Sequence, residues 1–238
     1  MSAEPLSLMR LEKTSLRQQA LSALRRAITT GELPPGTHLV ETELSGALKI
    51  SRGTLREAMR QLQQEGLISA TGDRGRLLVR HLDAKEIRDI FHVRAALEAL
   101  AARELCALPD RAGAVAILRR AVAEMERWAA GNLEDRSEAD LTFHRTMCQL
   151  TGNETLLHQW TSLEGSIRMS IMYAGVDSAI KNMDTKRHFD IVDAIETGDP
   201  DTAAETVHDH MAGAAKVLVE GAADRARPSP LVNHLRET

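Results

Sequence analysis

Aromatic side chains are scarce in this chain: its 238 residues hold two Trp, one Tyr and three Phe. A core with so few rings must be filled by Leu, Ala, Ile and Met. Cysteine is scarcer still. Cys106 and Cys148 are too few for a disulfide framework and suit a reducing compartment. No apolar run approaches the roughly 20 residues that span a bilayer, so no membrane is expected as a partner. The N-terminus lacks a charged segment followed by an apolar stretch, the mark of a secretory leader, and the expected location is the cytoplasm. An HExxH pair, a nucleophile elbow and a phosphate-cradling loop are also missing, which removes familiar signatures of several enzyme classes.

What the chain does have is a division of charge. Residues 1–80 hold 12 Lys and Arg against 8 Asp and Glu, a balance of +4. Residues 81–238 hold 18 against 26, a balance of −8. The first part suits phosphate binding and the second should repel it. The length is enough for two cores. The expected division is a basic domain over 10–80, a linker over 81–86, an all-helical domain over 87–222, and a flexible tail over 223–238.

Ser51 to Ile68, SRGTLREAMRQLQQEGLI, is the most informative stretch. Leu55, Met59 and Leu62 recur at helical spacing and form a stripe that must be buried. Arg52, Arg56 and Arg60 recur every four residues on another face, beside Gly53 and Thr54. Ser51 caps the first turn and Gly66 stops the last. A helix with a buried stripe and a basic leading edge fits the DNA major groove. Leu16 to Thr30 reads as a helix before it, Gly31 to Gly36 as a rigid turn, and Glu41 to Leu48 as a second short helix. Leu67 to Ala70 and Leu77 to Val79 read as strands joined by TGDRGR. That is a wing, with Arg74 and Arg76 at its tip, placed to meet the DNA backbone or minor groove.

The segments ETELSGALKISRGTLREAMRQLQQEGLI and DRGRLLV resemble the winged helix-turn-helix of the GntR-type bacterial transcription regulators. The likeness covers roughly residues 14 to 80, and its SR-x-x-x-RE-A-x-x-x-L-x-x-EGL pattern is specific. It implies DNA contacts for Arg52 and Arg56 and a wing tip at Gly75. It departs from some members at Thr42, where they carry an arginine. Such regulators pair their winged helices to match operator half-sites, so a homodimer on double-stranded operator DNA is expected.

From Asp83 onward every long pattern is helical. Ile87, Ile90, Phe91, Arg94, Leu97, Glu98 and Ala101 line a first helix. Ala114 to Ala129, Glu138 to Leu150, Thr155 to Tyr173, Met183 to Thr197 and Pro200 to Ala222 supply five more. The expected fold is mostly α: a winged helix-turn-helix of three helices and a small hairpin, then an antiparallel bundle of about six helices. Asp140 and His144 share a helix face at a spacing of four, His188 follows on another helix and His210 on the last. One carboxylate and three imidazoles suit Zn²⁺, Ni²⁺ or Mn²⁺. An Asp-His pair at this spacing also forms simple hydrogen bonds, so spacing alone leaves the metal open.

Three segments, ADLTFHRTM, KRHFDIVDAIETGD and AAETVHDHM, resemble the FCD effector domain of the FadR-like GntR subgroup. The resemblance implies a metal held by Asp140, His144, His188 and His210, the last chosen over neighbouring His208. It also implies open coordination positions for a small carboxylic acid effector, and cavity arginines at Arg94 and Arg168. Arg94 has a second reading as an ion pair with Glu98, and Arg168 as a solvated helix face. Cys148 continues the Asp140-His144 face and reads as a core residue. His92, His158 and His208 read as peripheral, and Trp128 and Trp160 as core or interface. Two functions follow from these residues. One is a regulator whose effector tilts the bundle against the winged helices through residues 80–86. The other is a metal-dependent hydrolase or oxygenase, since Asp-His₃ sites with open positions also serve enzymes.

Overall fold

The computed structural model describes residues 15–71 and 75–226. Its N-terminal part contains α1 (Leu16–Thr29), α2 (Glu41–Leu48), α3 (Arg52–Gln64), β1 (Ile68–Thr71) and β2 (Arg76–Val79). Ser15 opens α1 by accepting from the Gln18 amide, and Ser51 opens α3 by accepting from Thr54. Each hydroxyl satisfies one of the amides a helix start leaves unpaired. Lys49 closes α2 in the left-handed region at φ 53°, and three residues later α3 begins. Leu55, Ala58, Met59 and Leu62 turn inward from α3 to meet Leu21, Leu24 and Ile28 of α1. β1 and β2 pair antiparallel with Ile68 opposite Val79 and Thr71 opposite Arg76. The chain from Gly36 to Leu39 adds itself to the free edge of β2, with Leu39 N–H donating to the Leu77 carbonyl at 2.9 Å. The sequence pattern does not announce this third pairing, because the segment is too short to show alternation.

The rest is helical: α4 (Ala84–Cys106), α5 (Arg111–Arg127), α6 (Leu133–Leu150), α7 (Glu154–Ala174), α8 (Val176–Asn182), α9 (Thr185–Thr197) and α10 (Pro200–Ala226). Side chains of Asp83, Asp110, Asn132, Asn153 and Asp184 cap α4, α5, α6, α7 and α9. Pro200 stands at the first position of α10, where its missing N–H is no loss. α10 makes its most extensive contact with α4 and also touches α7, α8 and α9. Apolar stripes of all these helices meet inside, together with a small set of buried polar groups.

Several boundaries differ from the expectation. The bundle has a seventh helix, α8, in the segment read as a break after Gly175. The expected linker at 81–86 is helical from Ala84, because the Asp83-Glu86 capping box starts α4 early. The expected flexible tail begins too soon as well: α10 runs unbroken to Ala226, and 227–238 lie outside the described residues. Residues 10–14 of the expected first domain are likewise outside. The scarce rings are not spread thinly. Trp160, Phe91 and Phe143 are among the largest fully buried side chains, while Trp128 is 42% exposed.

Candidate functional site

The DNA-facing candidates lie on the outside of the N-terminal part. Arg52, Arg56 and Arg60 are exposed along α3, opposite its buried stripe. Arg56 is engaged: its Nε lies 2.8 and 3.0 Å from the two Glu41 oxygens on α2. Thr54 is half-buried and its hydroxyl shares a 2.8 Å hydrogen bond with Ser51 Oγ, so part of its polar capacity is committed to the cap. Gly75 sits in the turn between the strands at φ 59°, and Arg76 is exposed beside it. Arg74 lies outside the described residues.

The second candidate site is interior. Asp140 and His144 come from α6, His188 from α9 and His210 from α10, with relative exposures of 1, 0, 0 and 6%. The three imidazoles offer ligand atoms all within 4.8 Å of one another. His144 Nδ1 is 2.6 Å from Glu98 Oε2, and His188 Nδ1 is 2.7 Å from the Asp184 carbonyl oxygen. A carbonyl and an ionised carboxylate only accept, so in both rings Nδ1 carries the proton. The Nε2 atoms of His144 and His188 then present lone pairs to each other at 3.2 Å.

That arrangement invites a cation. Asp140 Oδ1 lies 3.1 Å from His188 Nε2 but outside hydrogen-bond geometry. Both Asp140 oxygens and His210 Nδ1 are buried without a hydrogen-bond partner. Orphaned acceptors of this kind are costly unless something binds them. Burial pushes His144 below its usual value, and burial together with His188 and His144 pushes His210 well below. These two rings are therefore neutral rather than cationic, the form in which an imidazole can accept a metal ion. Burial opposes charge on Glu98, but the Arg94 guanidinium and the N–H groups of His144 and Trp160 outweigh it and hold its carboxyl at about 2. A donor set of one carboxylate and three neutral imidazoles fits a divalent ion.

Glu98 organises the surroundings. It receives Arg94 Nε at 2.7 Å, Trp160 Nε1 at 2.7 Å and His144 Nδ1 at 2.6 Å. A carboxylate behind a ligating imidazole fixes its tautomer and orientation. In the sequence Glu98 reads only as an ion-pair partner of Arg94. The available signal was an oppositely charged pair, Arg94 and Glu98, inside an otherwise apolar stripe. Arg94 makes that ion pair at 1% side-chain exposure, yet its Nη2 remains buried and unpartnered. Phe143 stands edge-on to His144 and His188 at 5.0 and 5.1 Å, packing the rings into place.

Arg168 does not join this cluster. On α7 it pairs with Glu164 at 2.7 Å and with Glu138 of α6, which also contradicts a solvated helix face. It lines a cavity of about 1010 Å³ between α1 and the bundle, whose walls include none of the four pocket residues. Cys148 is fully buried and burial pushes its thiol up, as befits a core residue. His92, His158 and His208 are exposed.

Comparison with known proteins agrees with both halves. The model described as "Bacterial regulatory proteins, gntR family" matches residues 16–77, and the FCD domain model matches residues 89–213. The chain belongs to the GntR family. It is a bacterial transcription regulator with an FCD domain, and GntR regulators bind operator DNA. It is 30% identical over 203 residues to the "Probable D-xylose utilization operon transcriptional repressor" of Paenarthrobacter nicotinovorans, covering 85% of this chain and 88% of that protein. It is also 30% identical over 179 residues to the Nta operon transcriptional regulator of Aminobacter aminovorans, covering 74% and 82%. Among solved structures, a GntR regulator from Rhodococcus sp. RHA1 superposes with a TM-score of 0.71 at 24% identity, covering 86% of this chain and 97% of that one. E. coli McbR/YncC superposes at 0.69 and 17% identity, covering 87% and 99%. These two likenesses establish the fold of this GntR regulator. No helix among its described residues is long and apolar enough to cross a membrane.

Proposed function

We propose that this GntR regulator works as a homodimer that reads operator DNA with α3 and the wing, under the control of a small organic acid in the Asp140-His144-His188-His210 pocket. The pocket carries the proposal. Its buried donors from three helices leave both Asp140 oxygens and His210 Nδ1 unpartnered, and two imidazole lone pairs face each other. Asp140, His144, His188 and His210 would hold a divalent ion. When bound, that ion supplies a Lewis-acidic position suited to a carboxylate oxygen. Arg94 Nη2, buried and unpartnered beside Phe91, supplies a charged donor for the same acid. Glu98 keeps His144 in its ligating tautomer, and Phe143 limits how far the rings can turn. On the DNA side, Arg52 is exposed and has no ion pair among the described residues, which leaves its guanidinium available for guanine or phosphate.

Elemental analysis tests the pocket. The wild type should carry about one divalent ion per chain, and His188→Ala with His210→Ala should carry none. Stoichiometric metal retained by the double variant would move the site elsewhere. A thermal-shift screen of small carboxylic acids on the metal-loaded protein then identifies the effector. Metal-dependent turnover of such acids by a protein that binds no operator would favour the hydrolase or oxygenase reading instead.

A further inference from the structure

Resting on that reading of the pocket, we infer that α7 is the element through which the pocket sets the position of the recognition helix α3. Two contacts of α7, on different faces of the helix, define the route. At the first, the Trp160 indole N–H donates to Glu98 Oε1 at 2.7 Å, while Oε2 of the same carboxylate receives the His144 N–H at 2.6 Å. His144 and α7 are thus tied to one buried anion. At the second, Gly165 lies against the C-terminal cap of α3: a Cβ on Gly165 would stand 2.2 Å from the Glu65 carbonyl oxygen. The two contacts are five residues apart, about 7.5 Å along a rigid helix.

The second contact has little give. The atom facing Gly165 belongs to the main chain, so no side-chain rotation can relieve a displacement. Gly66, which leaves α3 at φ 71°, also approaches α7: a Cβ there would stand 2.7 Å from Ser166 Oγ. Glu65 is itself fastened to α1, its carboxylate accepting from Arg25 Nε and Nη2 at 2.9 and 2.7 Å. A shift of α7 is therefore delivered to α1 and α3 together. The chain between the two halves is held by α7 as well. Tyr173 donates to the Arg80 carbonyl at 3.4 Å and packs edge-on to His81 at 4.9 Å. Residues 80–86 consequently follow α7 rather than act as an independent lever.

Beside this joint lies the cavity of about 1010 Å³, bounded by Arg26 and Pro34 on one side and by Ile171, Met172 and Ala222 on the other. Close packing at Gly165 and open space next to it make a pivot. The N-terminal half can turn about the Glu65-Gly165 contact without expelling core side chains.

Full-length protein, stripped of metal with EDTA and reloaded with Zn²⁺, tests the route. Hydrogen exchange of amides 61–68 is read by mass spectrometry, and affinity is read on a duplex selected from a random pool by the wild type. Reloading should change both quantities in the wild type by about fivefold or more. Trp160→Phe keeps a ring but removes the N–H, and Gly165→Ala forces the seat apart. Both variants should take up Zn²⁺ with wild-type stoichiometry and lose the Zn²⁺-dependent change. If either responds to Zn²⁺ as the wild type does, the contacts are not in series and the route is wrong. A lowered melting temperature with an intact response overturns it equally, since that is all a structural role would produce. Should Gly165→Ala not fold, Trp160→Phe decides alone. A wild type that binds Zn²⁺ without responding refutes the route and spares the pocket. A wild type that takes up no Zn²⁺ refutes the pocket, and the route falls with it.

Discussion

Arg52, Arg56 and Arg60 stand exposed along α3, whereas Asp140, His144, His188 and His210 are buried where α6, α9 and α10 meet. On the surface, water satisfies an unused charge, so a free arginine such as Arg52 is tolerated until a phosphate or base replaces the water. Inside, every polar atom has to be accounted for, and the ones left over carry the information. The orphaned oxygens of Asp140 point to a ligand more sharply than any exposed guanidinium can. The two halves should accordingly respond to mutation on different scales.

The largest separation is expected at Glu98. Glu98→Ala strips the partner from a buried Arg94 and from the N–H groups of His144 and Trp160. Breaking a buried pair on one side costs about 3–5 kcal/mol, readable as a lowered urea midpoint. A loss under 1 kcal/mol would mean that water reaches the interior. Next in size is Arg52→Ala. Loss of a bidentate guanine contact costs about 1–3 kcal/mol per half-site in a DNA-shift titration, with the oligomeric state by sedimentation unchanged. Normal operator binding by that variant would remove α3 from the DNA-reading role. The smallest effect belongs to Glu41→Ala. The Arg56-Glu41 pair is exposed, so its removal should change stability by less than about 1 kcal/mol. Freed of its carboxylate, Arg56 should bind DNA more tightly and steepen the salt dependence of affinity. Weaker DNA binding would instead show that Glu41 positions Arg56 for contact.

The same contrast explains what the sequence discloses. The helix-turn-helix is written locally: Ser51, the Leu55-Met59-Leu62 stripe and Gly66 mark α3 within a few residues of its ends, and α2 has the bounds its pattern predicts. In the bundle, Asp140 and His144 are legible together because they share one helix. His188 and His210 become legible through resemblance to FCD segments, since nothing local says that α9 and α10 converge on α6. Glu98 and Trp160 stayed hidden as pocket residues because their roles depend on contacts 46 and 62 residues away. The Glu138 and Glu164 partners of Arg168 are not legible for the related reason that helix assignment fixes a residue's element but not its neighbours. The Gly165-Glu65 approach is invisible in either segment alone, as an absent side chain matters only when another backbone comes near.

The facing imidazoles also bear on mass action. His144, His188 and His210 lie 44 and 22 residues apart along the chain and meet only after three helices have packed. Whatever fills the space between them binds the folded chain in strong preference to the unfolded one. Its free energy of binding is then added to the free energy of folding, about 2.7 kcal/mol when its concentration is a hundred times the dissociation constant. The amount of native regulator in a cell, and not only its affinity for an operator, would then rise and fall with the supply of that ligand.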